Sequence, residues 1–182
     1  MILPIYSTKP AGEIKTEDGQ TFKVTLGLDQ TAVNQFTRRS CDLTDTELQR
    51  FTTDYKRICQ NGYASWYAKE RYPFTLLDSE GALAGIIWFG PKEFPELVSG
   101  EVPGVQKPWD TFAIRMYEPY RGKRLALPFS QSVFEAYAKM RPDHAVWLDT
   151  QNENEGAIRL YKKLGFVECG QKEGDRLVMA RI

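Results

Sequence analysis

Arg121, Gly122, Lys123, Arg124, Leu125 and Ala126 stand between a strand-like apolar run at 111–116 and a helical pattern that opens at Leu125. A strand feeding straight into a helix leaves first-turn amides without intrahelical partners, and those donors together with the helix dipole favour an anion. Gly122 lets a ligand approach the backbone, Ala126 is too small to block it, and the three cations add charge suited to phosphate. Some thirty residues on, Asn154 and Tyr161 lie seven positions apart, about two helical turns, with the small Ala157 between them. Both can face one groove. A tyrosine, with a free pKa of about 10, is a weak acid suited to giving a proton to a departing thiolate. Plainer readings stay open for each feature: a solvated basic turn, a tyrosine at the core edge, an asparagine that only caps its helix. The glycine spacing matches neither GxGxxG nor a Walker A loop.

The elements that must position these residues follow from periodicity. Residues 21–27 alternate and read as a strand, and a shorter strand is expected at 2–6 within a peripheral segment at 1–20. Asp29 can cap a helix that buries Ala32, Val33 and Phe36. Thr44 and Glu47 form a capping-box pattern ahead of Leu48, Phe51, Tyr55 and Ile58, predicting a helix that reaches Gly62 and an aromatic surface at Trp66 and Tyr67. Residues 74–77 and 82–89 read as a hairpin around the turn at 78–81. Residues 91–108 carry prolines and glycines without periodicity and read as a long loop. The strand at 111–116 is followed by a helix with Leu125, Phe129, Val133, Tyr137 and Met140 on one face, stopped by Pro142. A strand at 145–150, a helix ending at Gly165 and a closing pair at 166–169 and 176–180 complete an α/β order over 1–182, read as one domain.

Composition excludes several functions. The chain has 182 residues, 42% hydrophobic and 26% charged, with 24 basic and 24 acidic residues that cancel. No global charge attracts nucleic acid or an anionic membrane, and no apolar stretch is long enough to span a bilayer. Cys41, Cys59 and Cys169 are far apart with no CxxC pair, so neither a disulfide framework nor a metal site is expected. The lone histidine, His144, reads as a surface loop residue, which excludes a histidine-based triad. A cytoplasmic protein is the default in the absence of a secretion signal.

Residues 110–166 resemble the GNAT acetyltransferase family. Its cofactor motif runs Arg or Gln, two free positions, Gly, one free position, then Gly or Ala. Arg121 fits the first position and Ala126 the last, and Arg124 stands where glycine is usual. Asn154, Ala157, Tyr161, Gly165 and Phe166 resemble the family's later helix closely. The resemblance implies a mixed, mostly antiparallel sheet of about six to seven strands flanked by helices, with splayed central strands. It implies acetyl-coenzyme A or another acyl-coenzyme A as cosubstrate, no metal, and direct attack by an amine on the thioester. The pantetheine arm would lie along Phe112, Ile114 and Met116. Arg121 and the residues from Gly122 to Ala126 would hold the pyrophosphate. Asn154 and Ala157 would contact the pantetheine, and Tyr161 would protonate the coenzyme A sulfur.

An arriving ammonium must lose a proton, which makes Asp149, Asp110 and Glu118 candidate bases, Asp149 foremost. Tyr63, Trp66, Tyr67, Tyr72, Phe89 and Trp109 make the expected acceptor side aromatic and favour a small, partly apolar amine over a polyanion. A peptide amine stays open, as does a homodimer, whereas nucleic acid and membrane partners are not expected. The competing class is a catalytically degraded acyl-coenzyme A-binding or protein-interaction domain on the same fold.

Overall fold

The computed structural model describes residues 3–182. Strands β1 (Lys9–Lys15), β2 (Thr21–Leu26), β3 (Tyr72–Leu77), β4 (Leu83–Pro91), β5 (Ser99–Gly100), β6 (Trp109–Met116), β7 (Ala145–Gln151), β8 (Val167–Lys172) and β9 (Arg176–Arg181) form one nine-stranded sheet in the order β1-β2-β3-β4-β6-β7-β9-β8-β5. Both faces are covered, which is why β4 reads as a continuous apolar run instead of alternating. Ile87 and Phe89 pack under α4 (Ala126–Met140) and α5 (Glu155–Lys163), while Ile86 and Trp88 pack with residues of α1 (Gln30–Cys41) and α3 (Tyr63–Tyr67).

One junction in the sheet differs from the rest. Strands β6 and β7 are its parallel pair, and they match at three positions only: Trp109 with Ala145, Asp110 with Val146, Thr111 with Trp147. Beyond Thr111 the two part, although β6 stays paired to β4 as far as Met116 and β7 to β9 as far as Gln151. The splay is therefore a property of this junction and not of frayed strands.

Several expectations are corrected. The sheet has nine strands instead of six to seven, because the segment read as peripheral supplies β1 and the long loop supplies β5. For the strand expected at 2–6, residue 2 lies outside the described residues, and Ile5 and Tyr6 form a turn. The loop at 91–108 also covers the far end of the sheet, with Phe94 and Leu97 packed near Trp147 and the Lys92 carbonyl accepting from the Trp147 indole at 2.9 Å.

The helix expected across 44–62 is two pieces. Asp45, not Thr44, caps α2 (Thr46–Phe51), accepting from the Leu48 amide at 3.0 Å, while the Thr44 hydroxyl donates to Asp42. Thr52 turns extended, and its hydroxyl accepts from the Asp54 amide, which diverts the backbone from the helical ladder. The chain resumes as a π-helical turn at Tyr55–Gln60. Cys41 and Cys59 are joined by a disulfide that staples this turn to α1, contrary to the reading from spacing. Closing so short a loop constrains the unfolded chain by roughly 3 kcal/mol.

His144 is not a free loop residue. Its Nδ1 lies 2.8 Å from the fully buried Asp110, which also accepts from the Tyr137 hydroxyl at 2.6 Å. Among the described residues no helix is long and apolar enough to cross a membrane.

Candidate active site

The parting of β6 and β7 opens a cavity of about 380 Å³. Its wall takes Phe112, Ala113 and Arg115 from β6, Leu148, Asp149 and Thr150 from β7, Asn154 and Tyr161 from α5, and Thr52, Thr53 and Arg57 from the break before and within the π turn. An exposed strand edge faces this opening. The Tyr117 amide donates to the Ala84 carbonyl across β4, so the two-residue alternation turns the peptide groups of Phe112, Ile114 and Met116 toward β7. Two of those carbonyls are already used: Ile114 accepts from Arg115 Nη1 at 2.8 Å and Met116 from Arg121 Nε at 2.8 Å. The Phe112 side chain itself is core, stacked on Phe134.

Tyr161 is buried against Phe112 and Phe166, and among the described residues its hydroxyl has no hydrogen-bond partner. Burial raises its pKa, Arg115 and then Arg176 pull it down, and Asp149 pushes it up; the net shift is upward, so the phenol is protonated at neutral pH. Asn154 does cap its helix, accepting from the Ala157 amide at 3.3 Å through Oδ1, which leaves its side-chain NH₂ free to donate. Ala157 packs at the edge of the core beneath.

Asp149 is gripped from two sides, by Arg176 at 2.8 Å and by Lys172. Burial raises its pKa, but these two hydrogen-bonding cations more than reverse that and hold it below the ordinary value. A carboxylate so stabilised is a weak proton acceptor. Asp110 and Glu118, the other candidate bases, do not line the cavity. Arg115, which sequence reasoning missed, crosses the site in a bidentate pair with Asp54 at 2.6 and 3.0 Å while stacking over Trp88.

The loop ahead of α4 is arranged differently from expectation in one respect. The Arg121 side chain turns away from the helix start and clasps Asp45 with two bonds of 2.8 and 2.6 Å, joining this loop to the cap of α2. Leu125 is likewise a core side chain and offers only its backbone. The α4 terminus itself has no side-chain cap and no acidic residue in its first turn, leaving its amides open to an anion. Gly122 and Arg124 both have positive φ, +74° and +57°, and the exposed Lys123 ammonium rests over Tyr120.

None of the six aromatics expected at the acceptor side lines the cavity; Tyr63, Trp66, Tyr67, Tyr72 and Phe89 are core. The wall is cationic instead.

Residues 40–166 match the sequence profile of the Acetyltransferase (GNAT) family. The chain belongs to that family. Solved GNAT structures share its fold: the GNAT domain of PAT from S. lividans (TM-score 0.69, 11% identity, 93% of this chain and 95% of that one) and the ribosomal-protein-S5-alanine acetyltransferase from Vibrio fischeri (0.63, 13%, 94% and 96%). The spermidine N-acetyltransferase from Vibrio cholerae, solved with CoA and spermine, is similar too (0.63, 16%, 87% and 94%). No curated protein sequence matches the chain.

Arg124, at the GNAT motif's usual glycine position, holds the left-handed backbone that a glycine there would adopt freely. Arg124→Gly should therefore raise stability by about 0.5–1 kcal/mol, while Arg124→Ala should not. Urea midpoints of the three proteins check this; equal effects of Gly and Ala would remove backbone strain as the cause.

Proposed function

We propose that this GNAT chain is an N-acetyltransferase that moves an acetyl group from acetyl-coenzyme A to a primary amine in a ternary complex. The observation that carries the reading is the parting of β6 and β7 after three paired positions, with the Tyr161 hydroxyl on the wall of the cavity so opened. When bound, acetyl-coenzyme A supplies a thioester whose acyl carbon is open to direct attack by an amine. The residues fit it: the uncapped start of α4, with Gly122, Lys123, Arg124, Leu125 and Ala126 supplying backbone and charge, suits a diphosphate. The free edge of β6 suits an amide-bearing arm, and the Asn154 NH₂ can donate to one of its carbonyls.

Tyr161 is the proton donor to the departing sulfur. Arg115 and Arg176, which already lower its pKa against burial, would also stabilise the phenolate as it forms. Asp149, held ionised by Lys172 and Arg176, orients those cations at the mouth of the cavity and does not serve as the base. Arg121 acts on the cofactor loop from behind, through Asp45, without touching phosphate.

Acetyl-coenzyme A at a hundredfold excess over its dissociation constant should raise the melting temperature by about 5–10 °C, by linkage. An unchanged melting curve together with no thiol release against any amine would overturn the reading.

A further inference from the structure

We propose that the cavity at the parting of β6 and β7 accepts an amine that itself carries a carboxylate or phosphate group, docked on Arg57, Arg71 and Lys92. This deepens the acetyltransferase reading and rests on it. The chain as a whole has equal numbers of acidic and basic residues, yet the cavity wall presents seven arginine or lysine side chains and a single carboxylate, Asp149. Some of these cations are already matched. Arg115 is neutralised by Asp54, Arg50 lies 2.9 Å from Glu153, and Lys172 and Arg176 share Asp149. Among the described residues, Arg57, Arg71 and Lys92 have no carboxylate within 4.0 Å.

These three come from the π turn, the approach to β3 and the residue just after β4, whereas Asn154 and Tyr161 come from the cap and body of α5. Burial lowers Arg57, with Asp54 opposing, and the other two feel their neighbours directly. Burial first, then Lys172, lowers the Lys92 ammonium; Asp149 opposes this, and Arg57 and Arg71 add to the lowering. Burial, then Arg57, lowers the Arg71 guanidinium in the same way. Like charges gathered this closely repel one another unless an anion joins them.

The arrangement is also built. A methyl at Gly90 would sit 2.4 Å from Arg71 Nη1, so the guanidinium lies in space that only glycine leaves. Arg71 Nε is buried without a hydrogen-bond acceptor. Lys92 is set over the Trp147 ring at 5.2 Å. The cofactor's own diphosphate does not account for this cluster, since the start of α4 already offers it donors. A polyamine would meet repulsion at every wall residue of this group.

Two measurements test the assignment. First, inorganic phosphate and citrate are titrated against wild type and Arg57→Gln/Arg71→Gln by thermal melting, with Arg57→Gln/Lys92→Gln as a second variant whose two sites are both exposed. A saturable rise that both variants lose supports the site; a rise preserved in both overturns it. Second, thiol release from acetyl-coenzyme A is compared between amino acids and their carboxamides, and between amino sugars with and without phosphate. The charged member of each pair should show kcat/KM roughly tenfold or more higher, a gain that the variants erase while the acetyl-coenzyme A melting shift persists. Equal turnover within each pair overturns the proposal. So does a gain that appears only when succinyl-coenzyme A is given a neutral amine, because the anion then rides on the acyl group. Loss of the acetyl-coenzyme A shift in wild type marks the failure of the parent reading, whereas a retained shift without discrimination sinks the acceptor class alone.

Discussion

Tyr161→Phe should lower kcat by roughly 10²–10⁴-fold while leaving the acetyl-coenzyme A dissociation constant and the melting temperature nearly unchanged. The separation of effects follows from geometry. The ring is core, wedged between Phe112 and Phe166, and phenylalanine preserves that packing. The hydroxyl bonds to nothing among the described residues and faces the cavity, so its removal leaves no buried partner stranded. Only the proposed proton delivery should be lost. Single-turnover thiol release measured beside thermal melting reads both quantities. A drop in stability as large as the drop in rate would mark the hydroxyl as structural, and an unchanged rate would remove Tyr161 from the chemistry.

Asp54→Asn should cost about 3–5 kcal/mol of stability, the largest effect expected from any single exchange near the site. Asp54 is 1% exposed and Arg115 14%, so the surviving guanidinium would keep its charge away from bulk water. Burial works against that charge in the folded protein, and Asp54 more than offsets it. Replacing both partners by apolar residues, Asp54→Leu with Arg115→Met, should recover most of the loss, because it is the stranded charge that destabilises and not the missing pair. Urea unfolding of the three proteins decides it. A single-variant loss below about 1 kcal/mol would place the pair among solvent-screened ones.

How far the sequence led depended on the range over which each feature is encoded. The hairpin, β6, α4, β7 and α5 are local: periodicity, Pro142 and Gly165 sit within the element they shape, and each was readable. So were Asn154 and Tyr161, whose seven-residue spacing puts them on one groove. The break at Thr52 was missed because Leu48, Phe51, Tyr55 and Ile58 keep helical spacing across it, and a threonine hydroxyl turned on its own backbone leaves no periodic trace. The Cys41–Cys59 bond was missed because spacing alone does not say that two short helices cross. Arg121 reads as a phosphate ligand because its bidentate partner, Asp45, is 76 residues away in sequence. The cationic wall is the extreme case. Arg57, Arg71, Lys92 and Lys172 each look like ordinary surface residues, and only the sheet order makes them neighbours.

The charge surplus around this cleft also bears on how the nucleophile loses its proton. At roughly 8 Å and an effective dielectric near 20, each unmatched cation disfavours an ammonium by about 2 kcal/mol, or some 1.5 pH units. With one charge cancelled by an acceptor carboxylate, the remaining two still lower an alkylamine that titrates near 10 by about 3 units. In the proposed reaction the electrostatic potential of the chamber would then favour the neutral amine, with water carrying the proton out, so that no dedicated basic side chain is required.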